Sequence, residues 1–380
     1  MKIRFLFLHL KKIIKETKRS MSSEPLFTEI HSLCQQQPTI KCQNRKFLAG
    51  STSKDFPETL PKFVHHDFKA IKITHKHRCQ DIKRLGVAMR PALDSMFKAK
   101  KSAVLIKGLP ISVGKDFHDF VEGCAYKAMT YESGSGFRAA VDDLVYTASD
   151  EPPPFSIEPH NEMSYLSKFP QKIIFCCLST ADKGGESPIV FNRDLIKKIK
   201  PEVLNKFRAK GIRYSRNLKH RKNTDYISWQ STFYTEEEKE AEKKMSKEGF
   251  QWEWKANGDV TIWYQQPAFY ELANSGEEVW FNQMTANHCS YYKSHPMFAD
   301  RAEDLPAHEY PYHCCYGDGE EIENDVMDHI RSVAWKNAMS LTLLPGDVLI
   351  LDNLLCQHSR IGYEGGDRRI LVFLGEHTNR

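Results

Sequence analysis

Three apolar runs constrain this chain more than any other feature. Two lie near the C-terminus. Val348-Leu349-Ile350-Leu351 follows the turn residues Pro345-Gly346-Asp347, and Ile370-Leu371-Val372-Phe373-Leu374 follows Gly365-Gly366. The third, Ile173-Ile174-Phe175-Cys176-Cys177-Leu178, ends before Gly184-Gly185. Short unbroken apolar runs bounded by turn residues read as strands buried on both faces, so the chain needs cover on either side of a sheet. Between the two C-terminal runs sits a polar segment, Gln357-His358-Ser359-Arg360. A hairpin through it folds the last strand back beside His358.

A second polar stretch, Pro159-His160-Asn161-Glu162-Met163, lies far upstream. In an extended strand, residues two apart project from one face. His160 and Glu162 can then reach one cation while Asn161 points away. With His358 as a third ligand, two imidazoles and one carboxylate make the facial arrangement of non-heme Fe(II) oxygenases, with open positions left over. In a chain with 16 histidines a His-x-Glu also arises by chance, and the weight of the reading comes from the strand-flanked His358. Arg369 lies eleven residues past His358 at the head of the last strand. Alternation can aim it beside the metal, where a guanidinium can clamp a carboxylate through two parallel hydrogen bonds.

His160-x-Glu162, Gly184-Gly185-Glu186-Ser187, Gly346-Asp347, His358 and Arg369 together resemble the taurine dioxygenase and clavaminate synthase-like family. Within it the chain is most similar to plant-type clavaminate synthase-like proteins. The resemblance runs from about residue 100 to 375 and takes in Phe281-Asn282-Gln283-Met284 and Gly317-Asp318-Gly319. It implies a 2-oxoglutarate-dependent oxygenase that oxidises a small organic substrate with Fe(II) and O2, releasing succinate and CO2. It also implies iron ligands at His160, Glu162 and His358, an anchor for the distal 2-oxoglutarate carboxylate at Arg369, and a weaker cosubstrate contact at Ser187. The family usually carries His-x-Asp, and His-x-Glu belongs to its clavaminate branch. Where taurine dioxygenase-like enzymes place a second arginine for a sulfonate, four residues on, this chain has Phe373.

Composition sets limits around this reading. Apolar residues make up 41% and charged residues 27%, as in a globular protein with ample core. The formal charge of +5 is concentrated in residues 1–20, where seven Lys and Arg face a single acid, Glu16. The remainder is near neutral, which gives no footprint for nucleic acid. Ten scattered cysteines without a C-x-x-C pair read as reduced thiols in an intracellular compartment.

Along the chain, residues 1–22 form a basic amphipathic leader or an upstream extension, and residues 23–380 a single oxygenase domain. In the leader Ile3, Leu6, Phe7, Leu10, Ile13 and Ile14 recur at helical spacing against Lys11, Lys15 and Lys18. Such a segment is a mitochondrial transit peptide, a membrane-surface helix, or an extension before Met21; without targeting, the protein is expected in the cytoplasm. Residues 21–60 read as a loosely packed arm. His65, His66, His75, His77 and Cys79 match no zinc module, and the flanking Ile71 and Ile73 suggest a strand near the surface. Gly134-Ser135-Gly136 lacks the third glycine of a dinucleotide fingerprint. Helices are expected at 81–100, 115–128, 192–198, 201–209 and 235–247. A long insert, 212–340, separates the two halves of the site, and Asn282, Gln283 and Met284 within it are candidate substrate contacts.

The pattern alone gives an α+β fold. The resemblance refines this to a double-stranded β-helix, or jelly roll, with flanking helices. Three functional classes remain open: the oxygenase, whose iron chemistry includes desaturation and ring closure besides hydroxylation; a non-catalytic metal- or 2-oxoglutarate-binding protein; and a metal-dependent hydrolase.

Overall fold

A computed structural model of the chain describes residues 24–33, 37–42, 45–78, 81–129, 139–141, 144–149, 151–299 and 305–380. The leader, Cys79 and Gly134-Ser135-Gly136 lie outside these residues.

All three apolar runs fall in one seven-stranded sheet, in the order Phe27–Glu29, Phe68–Ile73, Ala103–Lys107, Val348–Asp352, Lys168–Ser179, Arg369–Asn379 and Tyr146–Thr147. Val348–Asp352 is central. It pairs antiparallel with Ala103–Lys107 on one side (Val348 opposite Ile106) and with Lys168–Ser179 on the other (Leu349 opposite Phe175). Only Phe68–Ile73 and Ala103–Lys107 among these pairings run parallel. Alternate residues face two apolar clusters, which explains the unbroken hydrophobic runs. Val104, Ile174, Ile350, Leu371 and Phe373 pack under two helices, while Leu105, Phe175, Leu349, Ile370 and Val372 face the main core.

The two covering helices are Ile82–Lys98 and Gly114–Cys124. The first starts where the Asp81 carboxylate accepts from the Arg84 amide at 2.9 Å, and it buries Leu85, Met89, Leu93 and Met96 on one stripe. The second ends before residue 128, because Ala125 turns into the left-handed region at φ 55°. The helices cross at Gly86 and Gly123. A Cβ on Gly86 would stand 2.3 Å from the Phe120 carbonyl oxygen, and one on Gly123 2.1 Å from that of Lys83.

Opposite the main-core face lies a three-stranded antiparallel sheet with Cys356–Arg360 between Ile157–His160 and Ile189–Phe191. The 212–340 segment adds its own antiparallel sheet, in the order Gln251–Trp254, Val260–Gln266, Ile212–Leu218, Tyr312–Tyr316. Tyr214, Ile262 and Tyr312 from that sheet share one apolar cluster with Leu105 and Leu349 of the large sheet. The architecture is therefore mixed α+β with mostly antiparallel sheets.

Two expectations change. The segment before residue 60 is packed rather than loose, since Leu33, Ile40, Leu48, Phe56 and Leu60 are buried in the main core. Its apolar residues are too widely and irregularly spaced to show a period. Phe68–Ile73 is an internal strand between two neighbours, with Ile71 and Ile73 fully covered, not a surface strand. His65 beside it stacks on Phe191 at 3.8 Å and pairs with Asp194 at 2.9 Å. No helix among the described residues is long and apolar enough to cross a membrane.

Candidate active site

Pro159 restricts Glu158 to extended backbone, and His160 closes the strand Ile157–His160 directly opposite His358 of Cys356–Arg360, the middle strand of the three-stranded sheet. The two imidazole rings stand 4.2 Å apart between centroids. Glu162 arrives by a different route from the one expected. The strand ends at His160, and residues 161–164 form a turn in which the Ser164 amide donates to Asn161 O. Met163 takes φ 55° there. The turn still brings the Glu162 carboxylate to 3.8 Å from His160 Nε2 and 3.4 Å from His358 Nε2. All three side chains are buried.

The backbone around the triad is fixed by two asparagines. The Asn353 side chain accepts from the Glu162 amide at 2.8 Å and donates to the carbonyls of Glu162 (2.9 Å) and Pro170 (2.8 Å). Asn161 points away from the site and donates to the carbonyls of Asn353 (2.6 Å) and Cys356 (3.1 Å). His160 Nδ1 lies 2.8 Å from the Glu158 carbonyl oxygen. A carbonyl can only accept, so this contact puts the proton on Nδ1 and leaves the Nε2 lone pair facing Glu162. Two imidazole nitrogens and a carboxylate oxygen, all within 4.8 Å of one another, suit a divalent first-row metal such as Fe(II).

The triad opens into a cleft whose empty space, open mouth included, is about 850 Å³. Ser187, Phe175, Leu349, Arg368 and Ile370 form its wall on the sheet side, and Gln283, Ala286, Asn287, Tyr291 and Tyr292 form the wall contributed by the insert. Of the expected substrate contacts, Gln283 borders the cleft. Asn282 instead donates to Ala268 O at 3.0 Å, and Met284 is wholly buried in the core.

The structure sets Arg368 rather than Arg369 at the cleft. Arg369 is largely exposed, ion-paired with Asp367 at 3.1 Å, and does not border the cleft; Arg368 does. The reason is strand parity. Ile370, Val372 and Leu374 face the main core, so the residue two before Ile370 shares their side. At the head of the strand the ladder also slips, with Arg369 opposite Ser179 but Ile370 opposite Cys177. Arg368 Nε donates to Gly185 O at 2.9 Å, and its guanidinium lies 5.5 Å from the Tyr363 ring centre. Gly185, at φ 76°, makes room for it: a Cβ there would stand 2.8 Å from Arg368 Cδ. No carboxylate among the described residues lies within ion-pair distance of Arg368. Burial, with the like charge of Arg360 nearby, pushes its pKa down to about 10. Arg368 is thus a partly buried cation with no carboxylate partner among the described residues.

Sequence reasoning missed Arg360. Its guanidinium donates to the carbonyls of Glu151 (3.1 Å), Pro152 (2.8 Å) and Phe155 (2.8 Å). It thus ties the strand carrying His358 to the segment leading into His160. Glu151 is held from the insert side by His295 at 3.0 Å and the Tyr226 hydroxyl at 3.1 Å. Gly346-Asp347 proves structural, since Asp347 pairs with Lys107 and accepts from the Leu344 amide.

Residues 72–374 match the family described as taurine catabolism dioxygenase TauD, TfdA family. The chain belongs to that family. It is a non-heme iron oxygenase using Fe(II), 2-oxoglutarate and O2. It is 33% identical over 279 residues to the dapdiamide synthesis protein DdaC of Enterobacter agglomerans, covering 73% of this chain and 82% of DdaC. It is 30% identical over 291 residues to a clavaminate synthase-like protein of Arabidopsis thaliana, covering 74% and 83%. Among solved structures, an asparagine oxygenase with Fe(II), 3-hydroxyasparagine and succinate overlays with a TM-score of 0.48 at 11% identity, covering 77% of this chain and 82% of that one. PvcB from Pseudomonas aeruginosa overlays at 0.45 with 12% identity, covering 81% and 85%.

Proposed function

We propose that this oxygenase hydroxylates a small organic substrate, with His160, Glu162 and His358 holding Fe(II) and Arg368, in place of Arg369, binding the far carboxylate of 2-oxoglutarate. The observation that carries the cosubstrate assignment is Arg368 itself, a desolvated guanidinium with no carboxylate partner that borders the same cleft as the triad. Iron held there, with 2-oxoglutarate and O2, supplies the oxidation that releases succinate and CO2. The chain supplies position. Asn353 fixes the turn bearing Glu162, Gly185 admits Arg368, and Phe175, Leu349 and Ile370 keep the cosubstrate wall apolar. Ser187 stands on that wall within reach of the same ligand. The insert wall, with Gln283, Asn287 and Tyr291, faces the substrate. Four residues past Arg368 is Val372, buried in the core, so no cation stands where a sulfonate would be gripped. This favours a substrate without that group. The seven-stranded sheet and the three-stranded sheet facing it are read as a distorted jelly roll.

The test is succinate release. Purified protein with Fe(II), ascorbate and 2-oxoglutarate is expected to release succinate slowly without substrate and faster with the right one, whose product gains one oxygen. Absence of succinate with every metal tried would overturn the proposal.

A further inference from the structure

We propose that His288, Cys289 and His313 form a second cation site, for a zinc-class ion, on the outer side of the insert wall. It shares no residue with the triad. His288 and Cys289 stand at the corner between two short helices, Met284–Asn287 and Cys289–Tyr292, and His313 comes from the strand Tyr312–Tyr316. One donor atom from each lies within 4.8 Å of the others. Cys289 Sγ is 4.0 Å from His288 Nδ1, and the two imidazole rings are 5.1 Å apart between centroids. Sulfur and nitrogen on one tetrahedral zinc stand about 3.6 Å apart, given bonds of about 2.3 and 2.1 Å.

Ordinary structural duties explain only part of this cluster. His288 Nδ1 lies 2.7 Å from the Ser290 hydroxyl and accepts from the Ser290 amide at 3.3 Å, capping the short helix; an ion on that nitrogen takes the lone pair and displaces both contacts. His313 Nε2 pairs with Glu321 at 2.9 Å. The His313 side chain is only 8% exposed, yet its Nδ1 is buried with no partner. A buried ring nitrogen without a hydrogen bond is costly. A carboxylate on the opposite nitrogen is the arrangement that orients imidazole ligands and strengthens them. Burial holds both histidines below their ordinary pKa and the Cys289 thiol above its own.

The donor set fixes the class of ion. Two imidazoles and one thiolate suit zinc or cobalt(II), whereas magnesium and calcium require oxygen donors. Binding breaks the Cys289 S–H bond, forms a metal–sulfur bond and releases the proton to solvent, with no change of oxidation state. The thiolate and Glu321 offset the added charge, and nearby Arg331 already faces Glu158 at 3.9 Å. Cys289 is half-buried, which leaves a path from solvent. Asn287, Tyr291 and Tyr292, on either side of this corner, border the cleft, so an ion here pins the substrate-facing wall.

Cobalt(II) tests the proposal on the full-length chain, because only a thiolate ligand gives an intense sulfur-to-metal band in the near ultraviolet. The triad has no sulfur and cannot produce it. The band is expected in the wild type, retained in Glu162→Ala and lost in Cys289→Ser, while His313→Gln weakens cobalt binding at least tenfold. In the unmodified wild type, zinc is expected to slow alkylation of Cys289 at least tenfold, a readout that needs no variant to fold. No thiolate band, a band unchanged in folded Cys289→Ser, or alkylation indifferent to zinc would each overturn the second site.

Discussion

Replacing Arg368 with alanine tests the most consequential reassignment in the site. Truncating one partner of a desolvated charge pair costs roughly 2–5 kcal/mol. One Arg368 nitrogen already serves Gly185 O, so the cosubstrate draws on the remaining donors and the lower end applies. At about 1.4 kcal/mol per decade, Arg368→Ala is expected to raise the 2-oxoglutarate requirement about thirtyfold. Arg368→Lys should recover part of this, because an ammonium keeps the charge and loses the planar fork. Arg369→Ala should leave the requirement unchanged, since that side chain is exposed and reaches only surface partners, Asp367 and the Ser179 hydroxyl. Without cosubstrate, Arg368 is a desolvated cation lacking a counter-ion, and Arg368→Met should therefore melt no lower than the wild type. The assay is succinate release titrated against 2-oxoglutarate, beside thermal melts of the same proteins. A large loss in Arg369→Ala with a normal titration in Arg368→Ala would refute the parity argument. Normal titrations in both would refute the carboxylate anchor.

Three further outcomes follow from the geometry. Gly185→Ala is expected to raise the 2-oxoglutarate requirement in the same titration, because a Cβ 2.8 Å from Arg368 Cδ displaces the guanidinium; an unchanged requirement would show that Arg368 has room to spare. Asn353→Ala removes three buried hydrogen bonds around the Glu162 turn and should destabilise the fold by about 2–4 kcal/mol while weakening iron binding; urea denaturation that shows no loss would remove Asn353 from this role. Burial holds His288 and His313 below the ordinary 6.5, so below that pH the unfolded chain binds protons that the fold does not. The stability these two histidines contribute should be fully present above pH 6.5 and decline as pH falls through their lower folded-state values, and with chelator present the melting curve of His288→Gln should depend less on pH across that range than the wild type's.

The sheet core was legible because a strand buried on both faces has no polar alternation to hide it, and all three apolar runs fall in the large sheet. The His-x-Glu spacing led to residues the structure brings together, although the geometric reason differed: Glu162 enters from a turn, and a short side-chain path served where strand alternation was assumed. Parity would have chosen Arg368 over Arg369 had Ile370 first been set facing the site; counting from His358 alone could not show that. Asn353 and Arg360 act through backbone carbonyls remote in sequence, a pairing no local pattern carries. The segment before residue 60 packs through scattered single side chains, so it shows no period to read.

The central claim is that His160, Glu162 and His358 hold one Fe(II) in the cleft where 2-oxoglutarate binds. Anaerobic titration of Fe(II) into the protein with 2-oxoglutarate, followed by the visible charge-transfer absorption of a chelated 2-oxo acid, addresses it directly. The expected result is a band that saturates at one equivalent of iron in the wild type and is lost in His358→Ala. A folded wild type without the band, or a band of full intensity in His358→Ala, would contradict it.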